Sequence, residues 1–236
     1  MATFVLVHGG MHGGWCYRPL AAELRRRGHD AYTPTLTGHG DRSHLQSGVT
    51  MDTHVEDVAA VLFYEDLTDV VLVGHSMAGV TIPLVAERCR ERIRRVVWLA
   101  SPVLADGESI GEHYGMPTPW IERAFTPKPD GAPPDPADLL EAFLQDGTLE
   151  QRRWVLARLG GVTAPLLAEK ASLSRFLRLG LPTGYIVATR DQALPPELCR
   201  TMAGRLPGAV TVEVDASHDM MITAPSATAD ALETMI

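Results

Sequence analysis

Residues 70–79 read VVLVGHSMAG, and no other stretch of the sequence indicates the fold as clearly. Its first four residues are apolar without alternation, which predicts a strand buried on both faces, as in a parallel sheet. The strand runs through a Gly-x-Ser turn into an apolar pattern of helical period. Small residues flank Ser76 at a distance of two positions: Gly74 before it and Ala78 after it, where turns of this kind usually have glycine. The stretch therefore predicts a serine on a sharp turn between a central strand and a helix.

The same turn has two other interpretations. An ordinary strand-to-helix loop rich in small residues would share its composition. A dinucleotide-binding loop would need Gly-x-Gly-x-x-Gly, whereas Ser76 replaces the middle glycine and no Walker lysine follows. We therefore expect a nucleophile elbow and no nucleotide cofactor.

Apolar runs of this type recur along the chain, and each is followed by a helical pattern. The runs are 3–7, 30–35, 70–73, 95–99, 184–188 and 210–214. The amphipathic stretches are 15–27, 52–65, 77–90, 195–206 and 226–235. Strands that alternate with helices predict an α/β fold with right-handed crossovers and a doubly wound, mostly parallel sheet.

One region interrupts this alternation. Residues 102–136 contain eight of the 17 prolines, too many for a helix or a central strand. Helix starts follow: Asp135-Pro136 offers an N-cap before a first-turn proline, and 148–151 forms a capping box. A third apolar pattern covers 166–179. We expect a core domain of residues 1–101 and 181–236 with a helical cap inserted at 102–180; an independent domain is the alternative.

A serine hydroxyl is a weak nucleophile near neutral pH, so Ser76 needs a base. His218 follows the last predicted strand, 210–214, in a loop at the carboxyl edge of the sheet. That edge is where a base could reach Ser76, although a surface loop could also account for one of nine histidines. We predict that His218 is the base.

The base in turn needs an acid that orients it. Asp191 follows the strand at 184–188, in the position expected for that acid. Asp106, after the strand that ends at residue 99, is the alternative. Asp215 and Asp219 lie too close to His218 in sequence to reach its far nitrogen easily. We predict that Asp191 is the acid.

An oxyanion formed during acyl transfer would need two backbone N–H donors. Met77, directly after the serine, predicts one donor. The loop after the first strand, His8-Gly9-Gly10-Met11, predicts the other at Gly10, because glycines let the backbone approach a substrate closely. A plain tight turn is the alternative for that loop.

Four blocks together resemble the α/β-hydrolase superfamily, and within it the branch of plant methylesterases, hydroxynitrile lyases and small bacterial esterases. The blocks are HGGMHGGW at 8–15, GHSMAG at 74–79, 186–191 and SHDM at 217–220. The resemblance extends over nearly the whole chain outside 102–180. It implies a Ser-Asp-His triad that uses neither a metal nor a cofactor.

Two positions separate the chemistries of that branch. Its lyases carry threonine and lysine where this chain has Gly9 and Asp219. A carboxylate beside the base would repel a leaving cyanide, so we expect hydrolysis of small apolar or aromatic carboxylic esters through an acyl-enzyme. Lyase chemistry, thioester or lactone hydrolysis, and a ligand-binding receptor on the same fold remain alternatives.

The substrate pocket is expected to be apolar and adaptable, because methionines fall beside the predicted catalytic loops. The candidate pocket residues are Met11, Trp120, Phe125, Trp154 and Met220. The aromatic residues of the predicted cap could close over this pocket or could equally form the core of the cap itself; they are Trp120, Phe125, Phe143, Trp154 and Phe176.

Composition excludes several classes of partner. The formal net charge of −8 over 236 residues argues against a nucleic-acid-binding protein, which would be basic. Three scattered cysteines match neither a disulfide framework nor a metal site. We find no signal-peptide or membrane-spanning pattern, and therefore expect a cytoplasmic protein without a membrane partner. A homodimer is compatible with the sequence, but no residue identifies its interface.

Overall fold

The computed structural model describes residues 1–114, 136–161 and 164–236. In these ranges six strands form one sheet in which every neighbouring pair is parallel. They are β1 (Thr3–Val7), β2 (Asp30–Tyr32), β3 (Val70–His75), β4 (Ile93–Leu99), β5 (Thr183–Ala188) and β6 (Val210–Val214). Their order is β2-β1-β3-β4-β5-β6, so the chain reverses its direction of travel between β1 and β3. This confirms the predicted doubly wound α/β fold.

Helices surround the sheet. In chain order, those in the described ranges are α1 (Arg18–Arg26), α2 (Met51–Tyr64), α3 (Thr81–Arg88), α4 (Ile110–Tyr114), α5 (Pro136–Leu144), α6 (Leu149–Leu156), α7 (Ala164–Ala168), α8 (Leu173–Leu177), α9 (Pro196–Ala203), α10 (Met220–Thr223) and α11 (Pro225–Glu233). None of these described helices has the length and apolar character needed to cross a membrane.

The apolar run in β3 follows from its position between two helical layers. Val71 and Val73 pack in a buried cluster with residues of α1 and α11. Val70 and Leu72 point the other way, into a cluster with residues of α2, α3 and α9. Alternate residues of a strand face opposite sides of the sheet, so a strand covered on both sides needs apolar residues at every position.

The segment between β4 and β5 follows the predicted pattern in part. The predicted capping box is confirmed: the Thr148 side chain accepts from Gln151 N at 3.2 Å, and Gln151 Oε1 accepts from Thr148 N at 2.8 Å. The single helical pattern expected at 166–179 is instead two short helices, α7 and α8. They are separated because the Ala171 backbone bonds to Glu108 O and Gly107 N, at 2.8 and 2.9 Å.

Candidate active site

Ser76 lies on a strained turn at the carboxyl end of β3. Its φ is 50°, in the left-handed region that side chains other than glycine rarely adopt. The turn is tightly packed: a Cβ at Gly74 would lie 2.7 Å from Ile82 and 3.0 Å from Ala78 O. The Ala78 methyl group fits in the buried cluster that contains Val70 and Leu72. The geometry is that of a nucleophile elbow, and the alanine in place of the usual glycine is accommodated.

His218 and Asp191 form a buried pair. His218 Nδ1 lies 2.7 Å from Asp191 Oδ2, and the residues are 1% and 4% exposed. The other carboxylate oxygen, Oδ1, accepts from Ala193 N at 2.7 Å and from Leu194 N at 2.8 Å. Three hydrogen bonds thus fix the Asp191 carboxylate against the imidazole.

Backbone hydrogen bonds hold together the loops that carry this pair. Thr189 N donates to Val214 O at 2.9 Å, and Arg190 N donates to Ala216 O at 3.0 Å. Parallel neighbours β5 and β6 therefore continue their pairing past their ends, which brings position 191 beside position 218.

The alternative acid, Asp106, lies elsewhere. It is exposed, and its carboxylate accepts from Ser174 N at 2.9 Å. Hydrogen bonds from Ser174 lower the pKa of Asp106. The structure pairs His218 with Asp191 and places Asp106 at the start of α8.

The turn that carries Ser76 meets the His218 loop through the neighbouring residue His75. The rings of His75 and His218 lie 4.6 Å apart, and His75 Nε2 donates to His218 O at 3.1 Å. The loop after β1 completes the group, since a Cβ at Gly9 would lie 2.6 Å from Ser76 Cβ. Three loops separated in sequence therefore meet at the carboxyl edge of the sheet, beside the reversal between β1 and β3, where ligands of open α/β sheets bind.

The predicted oxyanion donors lie on two of these loops. His8 Nδ1 donates to Gly9 O at 2.8 Å, while His8 Nε2 accepts from Leu36 N at 3.0 Å. Because the peptide is trans, Gly10 N–H points away from the carbonyl that His8 holds. Burial, together with the neighbouring His39, lowers the pKa of His8 well below its usual value, consistent with a neutral ring that donates once and accepts once. Met77 N belongs to the first turn of a short 3₁₀ helix, where backbone N–H groups lack helical partners.

The candidate pocket residues have different surroundings. Met11 and Met220 are buried in one apolar cluster, and Trp154 packs against that cluster while partly exposed. Trp120 and Phe125 lie outside the described residues. Phe143 of α5, one of the predicted cap aromatics, stacks on His218 with ring centroids 5.3 Å apart.

Sequence reasoning missed a second histidine–aspartate pair. His12 Nε2 lies 3.0 Å from Asp219 Oδ2, and both side chains are buried. The two residues are 207 positions apart, so only the fold shows that they meet. The Asp219 carboxylate is bonded to His12. It would therefore repel a cyanide ion at His218 less strongly than its position next to His218 in the sequence suggests.

Cys16, Cys89 and Cys199 are free and buried. Across residues 1–114, 136–161 and 164–236, no group of three or more His, Cys, Asp or Glu side chains is arranged to hold a metal ion.

Comparison with known proteins identifies the family. A sequence model of a protein family, described as the alpha/beta hydrolase family, matches residues 4–231. A carbendazim hydrolyzing esterase from a Nocardioides species is 35% identical, with 98% of each chain covered. A pyrethroid hydrolase from Sphingobium wenxiniae is 28% identical, over 98% of this chain and 86% of the relative.

A solved structure shows the same similarity in three dimensions. It is an extracellular alpha/beta-hydrolase from a Paenibacillus species, described as sharing structural and functional homology with tobacco salicylic acid binding protein 2. The TM-score is 0.88 at 26% identity, with 100% of this chain and 99% of that chain covered. Esterases and hydrolases among these relatives favour hydrolysis over the lyase alternative. The chain therefore belongs to the α/β-hydrolase family, and it is an ester hydrolase.

Proposed function

We propose that the protein hydrolyses small apolar or aromatic carboxylic esters in two acyl-transfer steps, with Ser76 as nucleophile. The observation that carries the proposal is the buried hydrogen bond between His218 and Asp191, beside the strained turn that presents Ser76. A serine on such a turn, a histidine and a carboxylate that orients the histidine are the parts that activate a hydroxyl.

In the first step, neutral His218 takes the Ser76 hydroxyl proton as Oγ attacks the ester carbonyl carbon. The carbonyl electron pair moves onto oxygen, and the N–H groups of Gly10 and Met77 stabilise that oxyanion. The oxyanion then collapses, and the protonated imidazole gives its proton to the departing alkoxide. Asp191 stabilises the charged imidazole throughout.

In the second step, a water molecule attacks the acyl-enzyme carbonyl while His218 removes its proton. A second oxyanion forms in the same place and collapses. Ser76 Oγ leaves and takes the proton from His218, and the carboxylic acid departs. The enzyme returns to its starting state without a cofactor.

The substrate class rests on the surroundings of the base and on the relatives. Phe143 stacks on His218, and Met11 belongs to the apolar cluster beneath this edge of the sheet. Both named relatives are hydrolases of carbendazim or pyrethroids. We propose that residues 102–180 act as the cap and that Trp154 contributes to the pocket.

The proposed location of the enzyme is the cytoplasm. Free buried cysteines suit a reducing compartment, which supports a cytoplasmic location. A homodimer is the proposed assembly, and light scattering after size exclusion would measure it.

The test is the substitution Ser76→Ala with 4-nitrophenyl acetate as substrate. We expect kcat/KM to fall by roughly 10⁴-fold or more, because no other group replaces the nucleophile. Ser47→Ala, at an exposed serine, is the matched control and should keep full activity. A folded Ser76→Ala enzyme with wild-type turnover would remove Ser76 from this role.

A further inference from the structure

The hydrogen bonds of the second histidine–aspartate pair indicate how many protons the pair carries. His12 Nδ1 lies 2.8 Å from Gly10 O, and a carbonyl oxygen can only accept, so Nδ1 carries a hydrogen. Nε2 lies 3.0 Å from an Asp219 carboxylate oxygen. A second proton must therefore lie between the ring and the carboxylate, in addition to the one on Nδ1.

The surroundings place that second proton on the ring. Burial by itself lowers the pKa of His12, but the charge and hydrogen bond of Asp219 outweigh it, and the pKa is raised. Trp15 stacks on the His12 ring with centroids 5.5 Å apart, a contact that favours a cation. These contacts favour an imidazolium paired with a carboxylate.

The His12 ring holds a strained loop. Met11 has a φ of 67°, in the left-handed region that costs a side-chain-bearing residue energy. The Gly10 carbonyl, just before Met11, accepts a hydrogen bond from His12. The carbonyl of Met11 itself accepts from Gly160 N at 2.8 Å. These hydrogen bonds stabilise the strained backbone conformation at Met11.

Asp219 connects that loop to the His218 loop. It follows His218 directly in the chain, and its own N–H donates to Phe143 O at 3.0 Å. Asp219 Oδ1 lies 3.9 Å from His75 Nε2, the group that donates to His218 O. A shift of the carboxylate would therefore move the loops of Gly10 and His218 relative to each other.

We propose that His12 and Asp219 form a buried imidazolium–carboxylate pair that positions the oxyanion loop, Gly9–His12, against the loop of the base, Ser217–Asp219. This role rests on the proposed function, since it concerns the Gly10 donor and the His218 base. Neither residue contacts the reacting atoms in this proposal. His12, held by Asp219, bonds to the Gly10 carbonyl and so fixes the orientation of Gly10, including its N–H. They are positioning residues.

The kinetic test compares three substitutions. Asp219→Ala removes the partner of His12, and we expect kcat to fall by about 10- to 100-fold with KM within about threefold, because a displaced oxyanion donor matters most in the transition state. Asp219→Asn should restore kcat to within about threefold of wild type. Its amide can donate to Nε2 of a neutral His12 that keeps its bond to Gly10 O.

Asp215→Ala is the matched control for Asp219→Ala. It makes the same change four positions from Asp219, at a side chain that is 82% exposed and paired with Arg190. If folded Asp219→Ala matched this control in kcat, or raised only KM, the positioning role would be overturned.

A second measurement does not depend on turnover or on a destabilised variant. ¹⁵N NMR of the histidine rings should show both His12 nitrogens protonated in the wild type near pH 7, and one of them unprotonated in Asp219→Asn. A singly protonated His12 in the wild type would overturn the charged pair. If Ser76→Ala stayed active, the proposed function would fail while this spectrum still decided the pair.

Discussion

In the described part of the chain, two buried histidine–aspartate pairs are hydrogen-bonded at the same edge of one sheet, and they differ in what the second ring nitrogen does. In the pair of His218 and Asp191, one ring nitrogen is bonded to the carboxylate, and the proposed chemistry uses the other. In the pair of His12 and Asp219, both ring nitrogens are already bonded to oxygen. A short His–Asp distance alone therefore does not identify a base. We infer that the base is the histidine whose second nitrogen is left to accept a proton from the nucleophile.

The largest effect expected from this comparison comes from making one substitution in both pairs. Asp191→Asn should lower kcat by about 10³- to 10⁴-fold, because the amide favours the wrong tautomer of His218 and cannot stabilise its charged form. The same change at Asp219 should cost at most about threefold, as argued above. Steady-state kinetics with 4-nitrophenyl acetate measures both. Equal losses in the two variants would contradict the division of roles.

A smaller effect is expected at Gly9, in the loop that also carries His12. Gly9→Ala would place a Cβ 2.6 Å from Ser76 Cβ and 3.1 Å from His75 O. The loop must move away, and we expect kcat/KM to fall by about 10- to 100-fold because the oxyanion donor moves with it. Gly161→Ala, where an added Cβ has no neighbour within 4 Å among the described residues, is the control. Gly9→Ala with the activity of that control would show that this contact is unimportant.

The smallest effect concerns the pH dependence of stability, which differs between buried histidines that are charged and those that are neutral in the folded protein. Burial, with a contribution from His39, lowers the pKa of His54 to about 4. In the unfolded chain its pKa is about 6.5, so between these values the unfolded state binds the additional proton. The free energy of unfolding therefore falls as pH falls from 6.5 towards 4, by about 1.4 kcal/mol per pH unit from His54 alone. The contribution of His12 has the opposite sign, because its pKa is raised.

Urea denaturation at pH 7 and pH 5 measures this effect. The loss of stability between the two pH values should be smaller in His54→Asn than in the wild type by about 2 kcal/mol. His44→Asn, at an exposed histidine, should leave the loss unchanged. An identical loss in all three proteins would mean that His54 does not resist protonation.

Local patterns predicted much of the fold. The continuous apolar run of β3 and the Thr148 capping box depend on neighbours in sequence, and both were found where expected. The pattern at 166–179 predicted one helix where the structure has two. The break between them comes from backbone hydrogen bonds to residues 107 and 108, which are far away in the chain.

The candidate site divides in the same way. Ser76, Asp191 and His218 each follow a strand, so the strand order alone predicts that they meet at one edge. The pairing of His12 with Asp219 depends on side-chain directions within two loops, which no local pattern records. The roles of all five residues stay predictions until the variants are measured.

Two main-chain bonds tie the segment between β4 and β5 to the site: Phe143 O accepts from Asp219 N, and Gly160 N donates to Met11 O. Backbone groups of any amino acid could make both bonds. Side chains of this segment that do not contact the site can therefore diverge between relatives. A chimaera would need to preserve the path of the chain at those two points, the Phe143 ring on His218, and the Asp146 carboxylate that accepts from Ser217 N at 2.9 Å.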